Sequence, residues 1–188
     1  LTIKGSIMPK QANTQTVIHN WAHSRPIDSD ARKSEAYVSS NCSRDSEGNL
    51  FSYSTRIARK VGLKAFLIST QFYSVTTSKQ QTYARRASFG TVILVPNLGE
   101  DSNSLKDNIV YLLSQCEQTA FSAIKGTGYN PSSQFRFSHE QLKSYCSLFP
   151  KAKRYLSKIG RQLLSLESRF EVNKPVELDG LVYTKEFE

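Results

Sequence analysis

Apolar positions along the chain change their spacing several times, and each change marks a predicted element. Over 14–24 (TQTVIHNWAHS), Val17, Ile18 and Trp21 fall on one face of a short helix. Arg25-Pro26 ends it, because the residue before a proline is pushed out of the helical region. Residues 28–48 are polar and rich in Ser, Asp and Arg, and read as a long loop. From 49 the pattern alternates: Leu50, Ser52 and Ser54 point one way and Phe51, Tyr53 and Thr55 the other, a strand reaching Arg56. KAFLISTQFYSV, from Lys64, is a second and more apolar strand, expected in the middle of a sheet. Thr77 followed by Gln80 matches a capping box and predicts a helix over 77–88. Phe89-Gly90 closes that helix, and TVILVP is a third strand ended by Pro96.

The second half is helical in pattern. Ser104 is the expected cap of a long helix in which Leu105, Ile109, Leu112, Leu113, Cys116, Ala120 and Ile124 recur at helical spacing, stopped by Gly126. GTGYNPSSQFRF reads as a loop. Ser138 with Gln141 predicts the start of the next helix, with Leu142, Tyr145, Cys146 and Phe149 inward. Pro150 interrupts, and a last helix over 151–169 buries Tyr155, Leu156, Ile159, Leu163 and Leu166. The pattern therefore predicts an α+β fold: a small three-stranded β-sheet with a packed helix, followed by a helical hairpin and a C-terminal helix. The expected division is a disordered start over 1–13, one domain over 14–170 and an acidic tail over 171–188 that contains a short edge strand, LVYT. The strand–helix–strand run over 65–96 fits a parallel crossover.

Charge sharpens this picture. The formal net charge is +9 over 188 residues, which favours polyanionic partners. It is unevenly placed. No acidic residue lies between Glu47 and Glu100, a span that carries Arg56, Arg59, Lys60, Lys64, Lys79, Arg85 and Arg86. A second basic run is Lys143, Lys151, Lys153, Arg154, Lys158 and Arg161. No apolar run approaches membrane-spanning length, and no secretory start is present, so no membrane partner is expected. Cys42, Cys116 and Cys146 are odd in number and widely spaced, which fits a reducing, cytoplasmic setting.

The candidate chemistry concentrates at 72–88, FYSVTTSKQQTYARRAS. A helix start exposes unpaired backbone donors and the positive end of the macrodipole, and there anions bind. Tyr73, Ser74, Thr76, Thr77 and Ser78 surround that start with hydroxyls, and Lys79 adds charge in what reads as the first turn. Lys79, Tyr83 and Arg86 share a face by their spacing, with Arg85 beside them, an arrangement suited to stacking a base among phosphate contacts. The competing reading has the hydroxyls capping, Tyr83 packing and the arginines solvated. Arg56, Arg59 and Lys60 join the basic site if the strands pair as a hairpin. No Gly-rich phosphate loop is present. His19 and His23 have the spacing of a metal-binding pair but lack the glutamate and the third ligand, so no metal or cofactor is expected. No catalytic residue is assigned.

The segments VIHNWAH, GNLFSYSTRIARKV and FLISTQFYSVTTSKQQTYARRA resemble a family of small uncharacterised proteins, a domain of unknown function, from bacteriophages and metagenomes. The resemblance spans 17–95 and extends more weakly to Phe149; YSVTTSK, Tyr73 to Lys79, is its most specific part. The chain departs from that pattern at Ser54-Thr55-Arg56, where the family carries a Gly and a His-Phe-Pro. The resemblance implies a phage-like element and a host-cell cytoplasm, and no mechanism. The functional expectation is a non-enzymatic nucleic-acid-binding or regulatory protein, contacting DNA or RNA phosphates through Tyr73, Ser74, Thr76, Thr77, Ser78, Lys79, Tyr83, Arg85, Arg86, Arg56, Arg59 and Lys60. The alternatives are a protein-interaction module that inhibits an acidic host protein, and an enzyme on nucleic acid or nucleotides using Tyr73, Lys79 or His23.

Overall fold

A computed structural model describes residues 13–23, 39, 41–165, 176–178 and 181–183. The expected disorder over 1–12, the loop over 28–38 and most of the tail lie outside the described residues. The chain divides into two compact units, Leu1–Leu94 and Val95–Glu188.

The first unit holds helix α1 (Thr14–His23), strands β1 (Cys42–Arg44), β2 (Asn49–Ser52), β3 (Thr55–Val61) and β4 (Ala65–Ser69), helix α2 (Val75–Ala87), and β5 (Thr91–Val95), whose last residue falls in the second unit. The α+β class stands, but the sheet has five strands rather than three, in the spatial order β1-β2-β3-β4-β5. Pairs β1/β2, β2/β3 and β3/β4 are antiparallel. The sheet is mixed, so its parallel pair is β4/β5, joined through α2 as a crossover.

Two strands escape the sequence pattern for different reasons. β1 is three residues long and polar, too short to alternate visibly. The expected strand 49–56 is instead a hairpin, turned at Tyr53-Ser54. Tyr53 takes a left-handed backbone, φ 53°, where Gly or Asn would have announced the turn. A register shift between Leu50 and Phe51 adds a bulge, with Leu50 opposite Ala58 but Phe51 opposite Arg56.

One sheet face carries Cys42, Arg44, Leu50, Ser52, Ala58, Lys60, Phe66 and Ile68, as the pairing register requires. Of these, Cys42, Leu50, Ala58, Phe66 and Ile68 form a core with Val17, Ile18, Trp21 and Ala22 of α1 and Ala84 of α2. β4 is buried at all five positions, which explains its unbroken apolar run between two neighbours. Trp21 meets Phe66 edge-on at 5.4 Å, and its Nε1–H donates to the Gly48 carbonyl at 2.7 Å.

The second unit packs α3 (Ser102–Lys125) against α4 (Pro131–Leu148), the expected helical hairpin. A 3-10 helix (Pro150–Tyr155), α5 (Lys158–Ser165) and a small antiparallel hairpin of β6 (Val176–Leu178) and β7 (Leu181–Tyr183) follow. The first three residues of LVYT are thus paired with a second strand. α3 is capped by Asp101, whose carboxylate accepts from the Asn103 and Ser104 N–H groups, three residues before the expected cap. It ends as expected at Gly126, in the left-handed region at φ 66°. α4 begins at Pro131 rather than Ser138, so much of the expected loop is helix. Proline suits the first helical turn, where its missing N–H costs nothing. Ser138 and Gln141 are buried inside α4, and the Ser138 hydroxyl pairs with Thr119 of α3. The expected last helix is split at Leu156-Ser157.

Candidate nucleic-acid interface

The strand-to-helix junction is built differently from the expected one. Ser74, not Thr77, caps α2: its hydroxyl accepts from the Thr77 N–H at 3.2 Å and donates to Thr77 Oγ1 at 3.0 Å. Thr77 Oγ1 then pairs with Ser52 Oγ at 2.9 Å, and Thr77 is only 3% exposed. The Thr77 hydroxyl therefore locks the helix to β2 and is not offered to a ligand. Gln80, the expected capping partner, is also buried, and its Nε2 donates to the Asn41 carbonyl at 3.2 Å. Thr76 and Ser78 are half-buried. Lys79 is the fifth helical residue, past the first turn in which it was expected.

The basic residues do not converge on this junction. Arg56 pairs with Phe51 and Arg59 with Asn49, on the sheet face opposite the helices. Lys60 lies on the helix-bearing face, where its Nζ donates to the Ala22 carbonyl at 3.1 Å. Burial and then the neighbouring Arg44 charge hold the Lys60 ammonium below its usual pKa. Arg44 Nη1 donates to the Asn20 carbonyl at 2.9 Å. Both cations satisfy the last carbonyls of α1, at the negative end of its dipole. Arg56, Arg59 and Lys60 are therefore not part of one site with α2.

Lys79, Arg85 and Arg86 are exposed on α2, and Tyr83 is half-buried, packed against the core. α1 and α2 run side by side in the same direction. The start of α1 meets Asn41, which Gln80 also reaches, and its end stacks His23 on Phe89 at 4.8 Å, just past α2. Between the helices lies a shallow groove of about 430 Å³. Its walls are Asn13, just before α1, Thr16 and His19 from α1, and Tyr83 and Arg86 from α2, over Ile18 and Ala87. Asn13 Oδ1 caps α1 by accepting from the Thr16 N–H and hydroxyl. His19 and His23 rings lie 4.3 Å apart. Neither helix carries an acidic residue. The α1 side of this groove escaped sequence reasoning, because its polar residues gain a role only when α2 is laid beside them.

The cysteines are free and buried. Burial pushes the Cys42 and Cys116 thiols up to about 12 and Cys146 to about 11, the reverse of an activated nucleophile. No helix among the described residues is long and apolar enough to cross a membrane. No family model, curated protein or solved structure matches the chain.

Proposed function

We propose that the protein binds nucleic acid without acting on it, through the outer surface of α2 and the α1–α2 groove, as part of a phage-like element. One observation carries this reading. Arg86, Tyr83 and His19 line a polar groove on a layer of two helices that holds no carboxylate, with Lys79 and Arg85 exposed alongside. Phosphate oxygens accept from guanidinium, ammonium and phenol donors, and nothing on these helices repels them. Among the described residues of the first unit the only carboxylates are Asp45 and Glu47, and Asp45 is turned to the Glu47 and Asn49 backbone N–H groups.

The test is fluorescence anisotropy with DNA and RNA oligonucleotides across a salt series. Each neutralised phosphate contributes roughly 0.7–0.9 to the log–log slope, so Arg86→Ala and Lys79→Ala each flatten it by about that amount. Absence of binding at ~50 mM salt overturns the proposal, because even non-specific binders hold there.

A second reading, a protein-interaction module, has its own support in the other unit. Val110 and Phe121 of α3 and Phe137 of α4 are exposed, with Lys125 Nζ 4.2 Å over the Phe121 ring. Large apolar side chains on an outer helical surface suit a protein partner. Capture from host lysate that survives nuclease treatment, and is lost in Phe121→Ser/Phe137→Ser, supports it.

A further inference from the structure

The segment leading into α2 is exposed and apolar. Phe72 is 74% exposed, Tyr73 47% and Val75 66%. Single exposed apolar residues are ordinary, but here four consecutive residues stand in solvent and three of them are apolar. Tyr53, 63% exposed at the tip of the β2–β3 turn, belongs to the same end of the unit. The hydroxyl chain Ser74–Thr77–Ser52 fixes this: Tyr53 and Tyr73 each adjoin an end of it, and its links are 3.0 and 2.9 Å.

The segment is also held in place. Gln81 Nε2 donates to both the Ser69 and Gln71 carbonyls at 3.0 Å, and the Gln71 N–H donates to Ser69 Oγ at 3.2 Å. Ser74 is pinned as the cap of α2. Phe72 and Tyr73 thus project from a backbone anchored on both sides, and little backbone freedom remains to be lost when a ring is covered.

Charge decides what covers them. The ridge sits in the acid-free span between Glu47 and Glu100, and Lys79 is exposed one turn into the helix that follows. A duplex hides the faces of its bases in the stack and offers this ridge phosphates, sugars and groove edges. An unpaired strand offers flat apolar faces and phosphates together, the combination that aromatic ridges beside cations bind. We propose that Phe72, Tyr73 and Tyr53 form a stacking platform for unpaired nucleobases, so that the ligand is single-stranded. This rests on the nucleic-acid reading above and narrows it.

The experiment compares three probes of equal length in anisotropy titrations: a single-stranded oligothymidylate, an abasic strand with the same phosphates, and a duplex. The thymidylate strand is expected to bind most tightly. Phe72→Ala and Tyr73→Ala each weaken it by roughly 5- to 150-fold, leave the salt slope unchanged and leave the abasic strand unaffected. Phe72→Trp restores binding. Arg86→Ala instead weakens all three probes and lowers the slope. Equal affinity for thymidylate and abasic strands, unaltered in the aromatic variants, overturns the platform and leaves the phosphate site standing. Silence from every probe removes both. Self-association in sedimentation that Phe72→Ala abolishes, with oligonucleotide affinity unchanged, makes the ridge a protein contact and also overturns the proposal.

Discussion

Residue types decide which groups here are chemical and which are structural, and burial is the deciding quantity. Cys116 is fully buried, and its thiol stays protonated up to about 12, whereas an unfolded thiol ionises near 9.0. Between those values the folded chain binds the extra proton, so stability is intact below the unfolded pKa and falls as pH rises through the window. The expected loss approaches the order of 1 kcal/mol per pH unit for such a thiol. Urea unfolding between about pH 8 and about pH 10.5 checks it: the midpoint falls in the native protein and falls less in Cys116→Ala. The same burial keeps all three thiols unreactive toward Ellman's reagent until the chain is unfolded. Lys60 teaches a parallel lesson about charge. Its place in a basic run marks it for a ligand, but the register turns it toward the last carbonyls of α1. A cation's number in a run says nothing of the face it occupies.

Elements with a strong period and a strong punctuation mark were legible; those without were hidden. Leu105, Ile109, Leu112, Cys116 and Ala120 are buried at helical spacing, and Gly126 closes α3, all as the pattern implies. The α1 stripe of Val17, Ile18 and Trp21 is buried as well. The β2–β3 hairpin lacked a Gly or Asn at its turn, and its bulge changes which way Arg56 points relative to Lys60. The basic composition of the site was therefore visible, and its division between two sheet faces was not. Ser74 and Thr77 are both good caps; the cap falls to Ser74 because the Thr77 hydroxyl is taken by Ser52, 25 residues away in sequence. Where β5 begins, its backbone runs close to Lys64, the residue that precedes β4. A Cβ at Gly90 would lie 2.0 Å from the Lys64 carbonyl oxygen, which already accepts from the Thr91 N–H at 2.8 Å. Gly90→Ala is expected to destabilise the fold by about 1–3 kcal/mol, read as a lower urea midpoint with an unchanged slope. Gly62→Ala makes a useful contrast, since beyond its two chain neighbours no residue comes within 4 Å of its added methyl and its cost comes from backbone conformation, φ 67°.

At the scale of the whole molecule the charge of +9 is shared by two units of different character. The second unit mixes Lys143, Lys151, Lys153 and Arg161 with Glu100, Asp101, Asp107, Glu117 and Glu140, whereas the helices of the first hold no acid. Location can therefore be separated from amount. The double changes Arg85→Ala/Arg86→Ala and Lys151→Ala/Lys153→Ala remove the same charge from exposed positions. Oligonucleotide affinity is expected to drop steeply for the first pair and only slightly for the second; equal drops identify a diffuse field rather than a site. One further property comes with the architecture. The chain has one tryptophan, and Trp21 stands 1% exposed in the core of the first unit, against Phe66 and under the α1–α2 layer. Its ultraviolet emission is thus an intrinsic gauge of that unit alone, blue while the core is dry and shifted red once water enters. Excited beyond the absorption edge of tyrosine, it lets binding and melting of the basic half be followed without attaching a dye, since the helical half holds tyrosines but no tryptophan.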